Sequence, residues 1–291
     1  MRIGALEAGG TKMVCAVGDE YGTIIKRIQV PTENPDVTMP RLIDFFLHER
    51  IEALGIGCFG PIDPDKNSRT YGYITRTPKL AWRNYNIVKA FYDVLSIPIG
   101  FDTDVNGAAI GEAAWGALCD CDVSLYITIG TGIGVGVCIG GRPLHGLMHP
   151  EAGHITLRRL ENDCYKGNCP YHSDCFEGLA SGPAIENRWG KKAYELKNNS
   201  ETWEIESHYI AQAIANYILC YSPGRIVLGG GVMHQEQLFP MIRDKVQKYL
   251  NGYIHSEHVH NNIDSYIVPP ALGDDSGIKG ALRLGHMALS Q

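Results

Sequence analysis

The chain has 291 residues, 44% hydrophobic and 20% charged, with a formal net charge of −6. That length buries a sizeable core in one or two domains, and the composition is that of an ordinary globular protein. No Lys/Arg cluster stands out and no apolar run reaches the ~20 residues of a membrane span, which excludes nucleic acid and membranes as expected partners.

In chain order, RIGALEAGGTKMVCAVGD reads as two strands around a Gly-rich turn. VTMPRLIDFFLHERI predicts a helix, EALGIGCFGPID a strand ending in a loop, and IVKAFYDVLS a second helix. IPIGFDTDVN is a strand ending in carboxylates, and GAAIGEAAWGAL a small-residue helix. VSLYITIGTGIGVGVCIGG repeats the strand–turn–strand form. A long helix, IESHYIAQAIANYILCYS, precedes the strand and Gly turn RIVLGGGV. The helix FPMIRDKVQKYL, the strand SYIVPPAL and a closing helix GIKGALRLGHMAL complete the chain. This alternation marks an α/β protein. The hairpin from Glu7 to Val17 is echoed from Thr128 to Cys138. Two copies of one hairpin predict two similar domains facing a cleft.

Three turns, EAGGTK, GTGIG and LGGGV, suit phosphate. Glycine lets backbone N–H groups approach a polyphosphate, and Thr hydroxyls and Lys12 add donors and charge. Neither a P-loop nor a dinucleotide-binding G-x-G-x-x-G is present. Any one such turn is equally a plain hairpin, but three together point to a nucleotide. Asp102 and Asp104 stand where an apolar strand stops and a helix begins. A carboxylate there either caps the helix or takes a proton from a hydroxyl nucleophile.

Assembled in order, these segments resemble the ROK family of sugar kinases, in the actin and hexokinase superfamily. EAGGTK is similar to its first phosphate loop, GIGCFGPID to its sugar-domain loop, TPKLAWRN to its N-L-x-x-W segment and DTDVNGAAIGE to its catalytic motif. GTGIGVG, HPEAGH, CFEGLASGPAI, IVLGGGV and LGDDSGIKGA match the second phosphate loop, E-x-G-H, the S-G-P-A-I run, the adenosine loop and the C-terminal motif. The resemblance implies two actin-like (ribonuclease H-like) α/β domains around a cleft. The smaller would span 1–115, with a closing helix over 277–291 packed back on it, and the larger 116–276.

The resemblance further implies ATP-dependent phosphorylation of a hexose, with Asp104 as general base. Glu7, Gly9, Gly10, Thr11, Lys12, Gly130, Thr131, Gly132, Pro183, Gly230 and Gly231 would hold ATP. Mg²⁺ would bridge phosphate oxygens, with Glu7 nearby. Gly60, Thr103, Asp104, Glu151, His154 and Glu177 would meet the sugar. Glu7 stands where many members have Asp, and Thr103 where glucokinase-like members have Asn. Both are similar to the bacterial fructokinase branch, so D-fructose is the expected substrate. Glucose, mannose or an N-acetylated hexosamine is the alternative sugar, and a non-catalytic regulator the alternative class. With no DNA-binding extension read ahead of Met1, the kinase expectation is preferred to a repressor. A homodimer is implied by the resemblance alone.

Nine cysteines, an odd number, predict a cytoplasmic, reduced protein whose clustered thiols bind metal. Cys169-x-x-His172-x-x-Cys175 has the spacing of a structural zinc site and lacks a fourth ligand. The family resemblance assigns that place to His154, with Cys164 as its competitor. His255, His258 and His260 are expected in a solvated loop or strand edge, with no metal.

Overall fold

The protein is described by a computed structural model covering residues 1–77 and 79–290. Pro78, inside the TPKLAWRN segment, and Gln291, the last residue of the expected closing helix, lie outside the described residues. The chain begins with β1 (Ile3–Ala8), β2 (Lys12–Gly18), β3 (Ile24–Pro31), α1 (Pro35–Glu49) and β4 (Ala53–Cys58). The short strands β5 (Tyr73–Ile74) and β6 (Tyr85–Asn86) precede α2 (Ile87–Leu95), β7 (Ile99–Thr103) and α3 (Asp104–Trp115). Next come β8 (Val123–Ile129), β9 (Ile133–Ile139), β10 (Arg142–Pro143), α4 (Phe176–Ala180), α5 (Gly182–Trp189) and α6 (Ser200–Tyr221). The chain ends with β11 (Arg225–Gly229), α7 (Leu238–Leu250), α8 (Glu257–His260), α9 (Ile263–Tyr266), β12 (Ile267–Val268) and α10 (Ser276–Ala288).

The chain divides into two compact units. The first is Met1–Cys119, Gly141–Pro150 and Ala271–Gln291; the second is Asp120–Gly140 and Glu151–Pro270. The sequence does not signal that Gly141–Pro150 groups with the first unit.

In the first unit the strand order is β3-β2-β1-β4-β7. β1, β2 and β3 pair antiparallel, whereas β1–β4 and β4–β7 are parallel. Every residue of β4 is buried, as expected for a central strand covered on both faces. Alternation along β1 sends Leu6 and Ala8 into the larger core, with Phe46 of α1 and Phe91 of α2. Ile3 and Ala5 point the other way, to Ile278 and Leu282 of α10. α10 approaches the sheet backbone to backbone: a Cβ on Gly55 would lie 1.8 Å from the Ala281 carbonyl oxygen. The same holds between helices, where a Cβ on Gly280 would lie 1.8 Å from the Gly107 oxygen. This is the packing that the small-residue sequence of α3 permits.

In the second unit the strands run β9-β8-β11-β12, with β8–β9 antiparallel and the rest parallel. Each unit therefore starts from one hairpin, Ala8↔Met13 and Ile129↔Ile133 at its turns, and adds parallel strands to it. The long helix α6 starts under an Asn199 cap, whose side chain accepts from the Thr202 N–H, and packs on α7. The strand expected over SYIVPPAL shrinks to Ile267–Val268. Pro269 and Pro270 have no N–H for a ladder and end it. His255, His258 and His260 are exposed, and the last two lie on the short helix α8 rather than in a loop or at a strand edge. Among the described residues, no helix is long and apolar enough to cross a membrane.

Candidate active site

The turn from β7 into α3 carries the acidic motif. Thr103 is the N-cap: its hydroxyl accepts from the Asn106 N–H at 3.1 Å. Asp104 is thus the first residue inside the helix, and capping falls to its neighbour. Its Oδ1 accepts from the Val105 N–H at 2.8 Å. Asp102 is 2% exposed. Its Oδ1 accepts from the Thr103 N–H (2.8 Å) and from Asn106 Nδ2 (2.7 Å), and its Oδ2 lies 2.9 Å from His145 Nε2. The bond to Asp102 raises the His145 imidazole above its ordinary value, against partial burial.

Glu7 sits near the end of β1. Burial pushes its carboxyl up to about 7, and the Asp104 carboxylate adds to the rise while Lys12 and Arg27 oppose it. Two acids within each other's field, with a lysine beside them, suit a divalent cation and phosphate oxygens. In the turn that follows, Gly9 N–H donates to the Lys12 oxygen at 3.1 Å. A Cβ on Gly9 would lie 2.6 Å from that oxygen, so the turn is closed to larger residues. Thr11 and Lys12 are exposed. Gly60 follows β4 in a partly buried loop.

The second unit builds the matching turn. Gly130 N–H donates to the Gly132 oxygen (2.9 Å), and Gly182 N–H donates to the Gly130 oxygen (2.8 Å), next to Pro183 at the start of α5. Thr131 is exposed. Gly230 has φ +90°, and a Cβ there would lie 2.4 Å from the Ile129 oxygen. Only glycine accepts that combination of left-handed backbone and close approach. Gly231 beside it faces open space. The turns GTGIG and LGGGV and the residues Gly182–Pro183 therefore converge within one unit.

The cysteine-rich loop also folds onto this unit. His154, Cys169, His172 and Cys175 each offer a ligand atom, all within 4.8 Å of one another. Cys169 Sγ is 3.8 Å from His154 Nδ1 and 3.7 Å from His172 Nδ1, and Cys175 Sγ is 3.6 Å from His154 Nδ1. A tetrahedral zinc with bonds of about 2.0–2.3 Å holds its ligands roughly 3.3–3.8 Å apart, which these three separations match. Cys164 is exposed and stands outside this group. The Nε2 of His154 points instead towards Glu177, 3.9 Å from Oε1. Glu177 Oε2 accepts from the Ile133 N–H at 2.9 Å, which ties α4 to the start of β9. The glycine of E-x-G-H has a steric reason: a Cβ on Gly153 would lie 1.9 Å from the Ile133 oxygen. Glu151 is exposed at the start of the tight turn Ala152–His154.

Two residues escape a reading by motif. Glu112 is fully buried and accepts from Ala117 N–H (2.7 Å), Ala271 N–H (3.2 Å), Leu272 N–H (3.0 Å) and the Ser276 hydroxyl (2.7 Å). It binds α3 to the start of α10, a role visible only as the G-E ending of the acidic motif. Arg188 pairs with Asp163 at 3.0 Å and donates to the Leu179 oxygen at 3.1 Å, pinning the loop ahead of the cysteines. No spacing in the sequence signals that pair.

The sequence profile of the ROK family matches residues 3–288. A relative in Bacillus subtilis (strain 168), described only provisionally as a fructokinase, is 55% identical over 287 residues, covering 99% of this chain and 96% of that one. A fructokinase of Pediococcus pentosaceus is 47% identical over 289 residues, covering 99% of each. The solved ROK hexokinase of Thermus thermophilus superimposes with a TM-score of 0.83 at 26% identity, covering 100% of this chain and 99% of that one. With the profile spanning both units, and with the phosphate turns and the acid of β7–α3 in the order the family has them, the chain belongs to the ROK family.

Proposed function

We propose that the protein transfers the γ-phosphoryl group of ATP to O6 of D-fructose, giving fructose 6-phosphate and ADP. The observation that carries the reading is the place of Asp104. It stands at the end of a parallel strand and the start of α3, where Thr103 takes the cap and Asp104 Oδ1 accepts from the adjacent Val105 N–H, a place suited to a general base. Relatives named fructokinase at 40–47% identity over nearly the whole chain support the choice of fructose.

In this reading Asp104 takes the proton of the attacking hydroxyl as the new P–O bond forms and ADP leaves. Gly9, Gly10, Thr11 and Lys12, like Gly130, Thr131 and Gly132, carry the backbone N–H groups, hydroxyls and charge that suit phosphates. Pro183, Gly230 and Gly231 border the nucleotide. Mg²⁺ carried with ATP supplies charge neutralisation, and Glu7 is the acid suited to lie near it. Gly60, Thr103, Glu151, His154 and Glu177 meet the sugar. Two thiols and two imidazoles, His154, Cys169, His172 and Cys175, are the donor set of a closed structural zinc site, which leaves no open position for substrate. The working protein in this reading is a cytoplasmic homodimer, each chain built from the two units described above.

An ADP-release assay with MgATP over a panel of hexoses tests the reading. Turnover is expected with fructose above glucose, mannose and N-acetylated hexosamines. Turnover with glucose and none with fructose would replace the substrate, and no turnover with any sugar would end the kinase reading.

A further inference from the structure

Asp102 is buried, yet its carboxylate is fully engaged. Two of its donors, the Thr103 N–H and Asn106 Nδ2, belong to the β7–α3 turn itself. The third, His145 Nε2 at 2.9 Å, comes from the segment Gly141–Pro150, about forty residues away in sequence. That segment is otherwise open at its tip, where Leu147 is fully exposed and Met148 is 45% exposed. His145, its side chain 38% exposed, reaches from it to the buried Asp102. Its ring lines a cavity of about 650 Å³ that the Ile62–Ser68 loop shares.

We propose that His145 is a positioning residue for phosphoryl transfer, acting through Asp102 on Asp104. The inference rests on the role of Asp104 as base in the proposed reaction. Asp102 Oδ1 grips both ends of the turn that presents Asp104, and His145 fixes the other oxygen and hence the plane of that carboxylate. A carboxylate relieved of one donor rotates towards water in the adjoining cavity, and its bonds to Thr103 and Asn106 lose alignment. Asp104 then shifts with the turn. A small displacement of a general base costs chemistry far more than ground-state sugar binding, because the proton transfer needs a defined geometry. The cavity also means that a shortened side chain at 145 is replaced by solvent rather than by collapse of the core.

Steady-state kinetics with MgATP and fructose test this on His145→Ala, His145→Gln, His145→Asn, Asp102→Asn and the double variant His145→Ala/Asp102→Asn. His145→Ala should lower kcat about 10- to 100-fold, with KM for fructose changed by no more than about 3-fold. Glutamine places an amide nitrogen near the position of Nε2 and should recover most of kcat; asparagine is too short and should not. The double variant should be no slower than Asp102→Asn alone, since the two side chains act in one chain of contacts. A kcat for His145→Ala within twofold of the wild type, equal rates for the glutamine and asparagine variants, losses that multiply in the double variant, or an effect confined to KM would each overturn the inference. Should His145→Ala fail to fold, the glutamine and asparagine comparison decides. Wild-type protein without turnover on any hexose overturns the proposed function and this inference with it. An active wild type with an indifferent His145 overturns this inference alone.

Discussion

Glu7 and Asp104 are two acids whose fields overlap, and each supports a prediction. Asp104→Asn keeps the side chain's size and its hydrogen bond to Val105 but removes the proton acceptor. It should lower kcat by ~10²–10⁴-fold with sugar affinity largely kept, the usual loss for a general base. Kinetics paired with a fructose titration check this, and near-normal turnover would reject the assignment. For Glu7 the sign follows from its burial. The folded carboxyl titrates at about 7 against an ordinary 4.5, so the folded state holds the proton more tightly than the unfolded chain. The associated stability is fully present below about 4.5 and is lost as pH rises to about 7. At about 1.4 kcal/mol per decade the loss is on the order of 3 kcal/mol. Urea unfolding of the wild type and Glu7→Gln at pH 4.5 and 8 should show the variant gaining on the wild type at the higher pH. A difference independent of pH would show that Glu7 is not held as described. The two acids of the β7–α3 turn could be placed from the sequence, because a strand, two acids and a small-residue helix follow one another directly; the choice of Asp104 as base came from the family resemblance. His145 was not, because its bond to Asp102 joins positions that only the fold brings together.

At the scale of elements, glycines and the cysteine loop matter most. α10 lies against α3 with no room for a side chain at the crossing, where a Cβ on Gly280 would meet the Gly107 oxygen at 1.8 Å. Gly280→Ala should destabilise the protein by about 1–3 kcal/mol or more through overpacking, despite alanine's better helix propensity. A rise in the urea midpoint would contradict the packing. The cysteine loop has two anchors. One is the ligand cluster; the other is the buried Asp163, held by Arg188 at 3.0 Å and by the Tyr209 hydroxyl at 2.6 Å. Chelation, or Cys175→Ser, should therefore remove about one zinc per chain while the second unit stays folded. Fructose affinity should weaken, because Nδ1 of His154 faces the sulfurs and Nε2 faces Glu177. Metal analysis with circular dichroism and a sugar titration check this; metal-free, folded protein with normal affinity would show that zinc and sugar are uncoupled. The elements themselves were readable from periodicity and glycine placement, as both hairpins show. There are exceptions: SYIVPPAL suggested a longer strand than two prolines allow, and the strand β3 and the helices α4 and α5 were not read from the sequence.

At the scale of the molecule, the order of the motifs predicted the family, whose profile matches residues 3–288. The grouping of Gly141–Pro150 with the first unit could not be read, since no residue pattern in that ten-residue link signals it. That first unit is assembled from three separate stretches of chain, and its last stretch begins only at Ala271. During synthesis, β4 and β7 leave the ribosome with one face bare, and the helix that covers them is made last. At 5–20 residues per second the interval from Cys119 to Ala271 lasts roughly 8–30 s. Through it, Gly55 and Gly100 offer naked sheet backbone to any passing strand or chaperone. Chains truncated at Pro270 and tethered to the ribosome by an unstructured linker that clears the exit tunnel should be digested by protease within the first unit while resisting it in the second, and release of the full chain should protect both. The second unit, whose parts are nearly consecutive, has the head start, so the half of the protein that is encoded first is the half that folds last.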